Sequence, residues 1–297
     1  MTKFTKNDRM QKKLGQHFLI DRGVRNRIIS AADLKDTDKV IEIGPGRGFL
    51  TKALCQYVEK VLAVEIDSNL VSFLRDAFDQ SSVVDIISAD ARDLQINTLL
   101  INPIKYKLVA NLPYYAATYI LRQFLENSFK PELIVVMIQR EVAQTIVAQP
   151  GKMGILSVAT QVYGQPRIIC HVSPRSFKPS PSVWSTVLRI DLHSTPLIDN
   201  ESRHGFFTIL KAGFSTPRKK IRNSLSNGLG IHPDKVSRLL DEACIDHATR
   251  PQNLTIPEWI RLHDAYINLF GLFAVSYTHL RAHEPEADLV CRLLLEK

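Results

Sequence analysis

The sequence predicts a mostly parallel, doubly wound α/β sheet with a smaller helical domain after it. Three observations carry that expectation. Apolar runs of four to seven residues alternate with helical patterns between residues 40 and 138, the rhythm of β-α-β units. Gly44, Glu65 and Asp90 fall at or just past the ends of three successive runs, where open α/β sheets bind ligands. Beyond the break His193-Ser194-Thr195-Pro196 the pattern turns helical and polar.

The elements follow in order. Residues Met1 to Lys13 carry Lys3, Lys6, Arg9, Lys12 and Lys13 against one acid, Asp8, and read as a flexible basic arm. A helical pattern near 23–32 precedes the first strand, 40–43. Strands at 61–66, 83–87, 107–111 and 132–138 are interleaved with helices near 49–57, 69–78, 116–126 and 140–148. Closing strands near 167–172 and 185–191 complete the sheet, the final one antiparallel. Helical patterns at 201–214, 216–228, 233–241 and 255–270 make the second domain. Thr216 as N-cap and Pro217 in the first turn would start its second helix and display Arg218, Lys219, Lys220 and Arg222. The domains therefore read as 1–193 and 194–271. The tail 272–297 is atypical and resembles translated adaptor or vector sequence, with an amphipathic helix at 286–297 as the alternative.

Composition narrows the partners. The net charge is +8 and the pI about 9.3, which favours a polyanion. Cys55, Cys170, Cys244 and Cys291 are scattered without a Cys-x-x-Cys pair, so neither a zinc site nor a disulfide frame is indicated. No apolar signal region opens the chain and no 18-residue apolar span occurs. A reduced, cytoplasmic monomer, not held in a membrane, is the expectation.

Two motifs define chemistry. Val40-Ile41-Glu42-Ile43 runs into Gly44-Pro45-Gly46-Arg47-Gly48 and then a helical start, a strand-loop-helix that lets backbone approach a ligand. Such a loop alone is also an ordinary tight turn. Glu65, 21 residues after Gly44, can accept both ribose hydroxyls of an adenosine ligand, and Asp90 at the third strand tip can accept from an adenine amine. Singly each carboxylate reads as a solvated loop charge; together they specify a nucleoside cofactor. Pro45 removes an N–H that a pyrophosphate would need, and no Walker lysine is present. The loop suits S-adenosylmethionine, its amino-acid end against Gly44 and Gly46. The second motif is Asn111-Leu112-Pro113-Tyr114. The Asn111 side-chain oxygen and the Leu112 carbonyl can accept the two N–H bonds of an exocyclic amine, Pro113 fixes the bend, and Tyr114 can stack on a flipped base. The plainer alternative is a strand ending in an Asn-Xaa-Pro turn. Phe177, in the proline-stiffened loop Ser173 to Pro181, is suited to the base's other face, or else plugs an apolar gap.

These motifs, with Lys12 to Leu19, Gln139-Arg140-Glu141, Ser176 to Pro181 and Arg218 to Leu225, resemble the KsgA/RsmA family, the small-subunit rRNA adenine dimethyltransferases. The resemblance runs from Lys12 to about Leu254. It implies a Rossmann-like S-adenosylmethionine-dependent methyltransferase sheet with a small C-terminal helical domain. It also implies dimethylation of two adjacent adenosines near the 3′ end of small-subunit rRNA, within an immature ribosomal subunit. By that similarity His17, Leu19, Gly44, Glu65, Asp90 and Asn111 line the cofactor site; many members carry Asn where His17 stands. Lys12, Lys13, Arg218, Lys219, Lys220 and Arg222 read as contacts to the RNA backbone, with an idle basic tail and an idle charged face as the alternatives. Direct in-line displacement then needs neither a strong base nor a catalytic metal. Two alternatives stand beside this reading: a macrolide-resistance-type methyltransferase acting on large-subunit rRNA, and a mainly non-catalytic checkpoint factor in subunit assembly.

Overall fold

The computed structural model describes residues 16–96 and 105–271. The basic arm with Lys12 and Lys13, and the tail with Cys291, lie outside the described residues. Strands are β1 (Phe18–Leu19), β2 (Lys39–Ile43), β3 (Lys60–Glu65), β4 (Val84–Ser88), β5 (Lys107–Asn111), β6 (Leu133–Gln139), β7 (Gly164–Val172), β8 (Phe177–Lys178) and β9 (Ser185–Leu192). Helices are α1 (Arg22–Ala31), α2 (Thr51–Leu54), α3 (Ser68–Ala77), α4 (Ala117–Glu126), α5 (Arg140–Ile146), α6 (Ile155–Gln161), α7 (Arg203–Gly213), α8 (Ile221–Leu229), α9 (Pro233–Glu242) and α10 (Ile256–Phe270).

Seven strands form one sheet in the order β4-β3-β2-β5-β6-β9-β7. The order reverses between β2 and β5, and both neighbours are parallel there, so a crevice opens beyond their carboxyl ends. Strand β9 runs antiparallel to β6, with Gln139 opposite Ser185 and Leu133 opposite Asp191. The expected antiparallel final strand is thus present, inserted between β6 and β7. β5 and β6 are apolar nearly throughout because helices cover both faces of a parallel sheet, and Leu108, Val109, Ile134, Val135 and Val136 are fully buried. Lys107 is accommodated in this interior because its ammonium is 2.7 Å from the Asp38 carboxylate and also donates to the Asp33 carbonyl. A separate pair, β1 with β8, joins Leu19 to Phe177 in antiparallel register. Asp21 caps α1, accepting from the Gly23 and Val24 amides, and also accepts from the Ser176 hydroxyl at 2.9 Å. Those bonds hold its carboxyl below the usual range, the Ser176 bond most.

The described residues fall into two compact units, 16–143 with 165–192, and 144–164 with 193–271. In the second unit α6 is an addition to the sequence expectation. It is only seven residues long and follows Gly154 as its cap residue, so no apolar period announces it. Side chains hold it instead: the Ser157 hydroxyl donates to the Thr145 carbonyl at 2.6 Å, and the Gln161 amide donates to the Ile146 and Ala148 carbonyls. Helix α10 begins with the Thr255–Glu258 capping box. It buries Trp259, whose ring stacks on Phe214 at 5.4 Å. Helices α7 and α8 meet through Gly228, where any Cβ would stand 2.4 Å from the Ala212 backbone.

Candidate active site

The carboxyl ends of β2, β3, β4 and β5 bring the first group of predicted residues together. Beyond β2 the backbone turns through Gly44 at φ 68° and Gly46 at φ 60°, conformations that favour glycine. A Cβ on Gly46 would also press on the Phe18 ring at 3.0 Å. The Gly46 amide donates to Glu65 Oε2 at 3.1 Å, and the Ile66 and Asp67 amides donate to Oε1 at 3.0 and 3.1 Å. Glu65 is therefore the strut of the glycine loop. Burial pushes its carboxyl up, while those three amide bonds pull it down. The helix expected over 49–57 contracts to α2, Thr51–Leu54. Leu50 offers no side-chain cap, and a three-residue bond from Ala53 to Leu50 tightens the turn. So short a helix adds little field, and the loop's amides shape the site.

Glu42 escaped the sequence reading. It is 1% exposed inside β2, and its Oε2 has no hydrogen-bond partner. Burial raises its carboxyl to about 8, with the neighbouring Glu65 adding to the rise and Thr51 opposing it. An acid inside a strand otherwise buried on both faces was the available signal. Asp90 is engaged by Arg92, which reaches its Oδ2 at 2.7 Å, while the Arg92 amide reaches Oδ1 at 2.8 Å. The guanidinium hydrogen bond is the main reason its carboxyl lies below the usual range.

Asn111 ends β5, and its amide nitrogen donates to the His17 carbonyl at 3.4 Å. That bond turns the side-chain oxygen into the acceptor. The Tyr114 hydroxyl lies 2.6 Å from Ser185 Oγ, which fixes the ring beside His17 at a centroid distance of 5.9 Å. His17 Nδ1 is 2.8 Å from the Pro179 carbonyl and donates to it. Phe177 does not join this group. Its ring is 4% exposed in the hydrophobic core, because β8 is drawn against β1. The arrangement is the apolar plug, and Tyr114 and Phe177 do not form a sandwich here.

One cavity of about 470 Å³ gathers His17, Leu19, Glu42, Gly44, Gly46, Glu65, Asp90 and the whole Asn111–Tyr114 segment along its wall. Tyr115, 52% exposed, stands on the same wall and was also missed. The residues suit S-adenosylmethionine, a cationic nucleoside: the Glu65 and Asp90 carboxylates and the buried Glu42 carboxyl, with its orphaned oxygen, line the space, and apolar surface predominates. Among the described residues no cluster of His, Cys, Asp and Glu could hold a metal, and no helix is long and apolar enough to cross a membrane.

The basic cluster departs from expectation in its geometry. Helix α8 starts at Ile221 with Lys220 as its cap residue, so Arg218, Lys219 and Lys220 occupy the preceding turn rather than a helical face. Thr216 is drawn away from capping: its hydroxyl pairs with Ser224 Oγ, which also donates to the Thr216 carbonyl. The three turn cations are exposed. Arg222 is committed to α9, donating to Ser237 Oγ at 2.8 Å and lying 3.6 Å from Asp234.

Comparison with known proteins accords with this site. A profile of the ribosomal RNA adenine dimethylase family matches residues 7–267. Ribosomal RNA small subunit methyltransferase A of Dehalococcoides mccartyi is 44% identical over 84% of this chain and 86% of its own. A relative of the same name from Clostridium botulinum is 37% identical, covering 88% and 95%. Among solved structures, the 23S rRNA methyltransferase ErmE superposes with TM-score 0.68 at 25% identity, over 84% of this chain and 98% of that one. A dimethyladenosine transferase from Plasmodium falciparum gives 0.75 at 21% identity, over 85% and 98%, and shares the fold. A family profile matched over most of the length, together with relatives at 37 to 44% identity, shows that the chain belongs to the ribosomal RNA adenine dimethylase family.

Proposed function

We infer that this protein is an S-adenosylmethionine-dependent rRNA adenine dimethyltransferase acting on small-subunit rRNA, at two adjacent adenosines near its 3′ end. The observation that carries the reading is a shared wall: cofactor-type groups and the Asn111–Tyr114 turn line one cavity. Gly44, Gly46, Glu65 and Asp90 would hold the cofactor, with His17 and Leu19 beside them. When bound, that cofactor supplies an electrophilic methyl group. Asn111 Oδ1 and the Leu112 carbonyl accept the two N–H bonds of the target amine and orient its lone pair. Tyr114, anchored by Ser185, offers a face on which the flipped base stacks. Positioning and fixed dipoles then supply most of the acceleration. Lys12, Lys13, Arg218, Lys219 and Lys220 contact phosphates, and a monomer acting on an immature subunit in the cytoplasm completes the proposal. The domain carrying this chemistry is 1–193, with 194–271 as the RNA-docking part.

The likeness to ErmE supplies a second substrate to compare. Labelled methyl transfer to immature small subunits and to large subunits, with primer-extension mapping, decides between them. Two modified adjacent adenosines in small-subunit rRNA support the proposal. Modification confined to large-subunit rRNA overturns it, and stoichiometric subunit binding without methyl transfer selects the checkpoint reading.

A further inference from the structure

Trp184 is 43% exposed, while the only other tryptophan, Trp259, is fully buried. Single exposed apolar side chains are ordinary, and Tyr57 and Phe73 are examples on this chain. Trp184 differs in placement and in support. It immediately precedes β9, whose first residue, Ser185, lies opposite Gln139 at the carboxyl end of β6. That is the edge on which the cavity opens. The next residue along is the one that fixes Tyr114, through the 2.6 Å contact between the two hydroxyls. Asn111 pairs with Met137, and Met137 with Val187, so β9 lies two strand spacings, roughly 10 Å, from the amine-accepting strand.

Arg140 supports the indole. Its guanidinium carbon is 5.9 Å from the Trp184 ring centroid, and its backbone amide donates to the Trp184 carbonyl at 3.0 Å. The pairing of Arg140 with Glu141, 3.3 Å apart and partly exposed, is too screened to hold the side chain alone. The Arg140 Nε is buried without a hydrogen-bond partner. Cation and ring therefore brace each other and leave indole surface exposed beside a positive charge. An unpaired nucleotide matches that surface: its base stacks on the ring and its phosphate meets the guanidinium.

We propose that Trp184, braced by Arg140, is a stacking platform for an unpaired base of the RNA substrate flanking the adenosine that enters the cavity. This rests on the rRNA-methyltransferase reading and adds a residue that selects for unpaired RNA. Trp184→Ala and Trp184→Phe in the full chain, assayed with immature small subunits, test it. Losing one base stack should raise the KM of Trp184→Ala for subunits about tenfold, mostly sparing kcat, while Trp184→Phe retains most of the affinity. S-adenosylmethionine affinity by calorimetry should match wild type in both, which also reports folding. Because Trp259 is buried, quenching of tryptophan emission by an oligoribonucleotide of the rRNA target sequence should come from Trp184. Wild-type KM in Trp184→Ala overturns the platform, and so does equal loss in both variants. If wild type methylates no small subunits, the functional reading fails instead.

Discussion

Replacing Glu42 by Gln should change how stability depends on pH more than it changes the fold. Glu42 is buried, and its carboxyl is raised from 4.5 to about 8, chiefly by burial. Below 4.5 the group is protonated in both the folded and the unfolded chain. As pH rises, the unfolded chain ionises while the folded one keeps its proton, so folding holds one extra proton. Stability falls by about 1.4 kcal/mol per pH unit in that window. The loss reaches about 3 kcal/mol near neutrality and levels off above the folded value. Glutamine has nearly the same shape and does not titrate. The stability of Glu42→Gln minus that of wild type should therefore climb by about 1.4 kcal/mol per unit between about pH 5 and about pH 8. Glu65 contributes equally to both proteins, because Glu42 is neutral through most of the window. Urea denaturation without cofactor, at matched m-values, measures the difference. Parallel pH profiles would show that Glu42 is ionised in the folded protein, with its free oxygen hydrated, and would refute the reasoning.

Glu65→Ala should weaken S-adenosylmethionine binding by about 1.5–3 kcal/mol, as charge-assisted bonds are lost; unchanged calorimetric affinity in a folded variant would remove Glu65 from the site. Asn111→Ala should retain subunit binding while single-turnover methyl transfer falls about a hundredfold or more. Rates within a few-fold of wild type would defeat the amine-orienting role. Gln at Arg218, Lys219 and Lys220 together should flatten the plot of log affinity against log salt by about 0.7–0.9 per lost phosphate contact, leaving cofactor binding alone. A wild-type slope would make the turn an idle charged surface.

What the sequence made legible follows its periods. β-Branched runs placed β2 to β6 within one or two residues, and strand ends with Gly44, Glu65, Asp90 and Asn111 converged on one cavity as expected. The misses share a cause, which is contact between separated parts of the chain that no periodicity encodes. Thr216 resembles an N-cap locally, yet Ser224 claims its hydroxyl and carbonyl, and the helix starts five residues later. Phe177 sits in a polar loop by sequence, but strand pairing with Leu19 pulls it into the core. Glu42 looked like one more strand residue, because burial of both faces of β2 only becomes visible once β3 and β5 flank it.

Glu65 shows why the glycine loop and the acid that ends β3 belong to one device. A carboxylate offers about four acceptor positions, and three are already taken by the Gly46, Ile66 and Asp67 amides. Roughly one position remains for a ribose hydroxyl, so a second hydroxyl must share an oxygen or displace a backbone bond. The Gly46 bond is the one whose exchange would move the loop, since Ile66 and Asp67 follow Glu65 directly in the chain. The proposed ribose contact would thereby be coupled to loop position through Oε2. Removing the carboxylate costs the contact and also strands a buried amide of the loop. Part of the affinity lost in Glu65→Ala is thus expected to arise from disordering Gly44 to Gly48, the segment proposed to hold the other end of the cofactor.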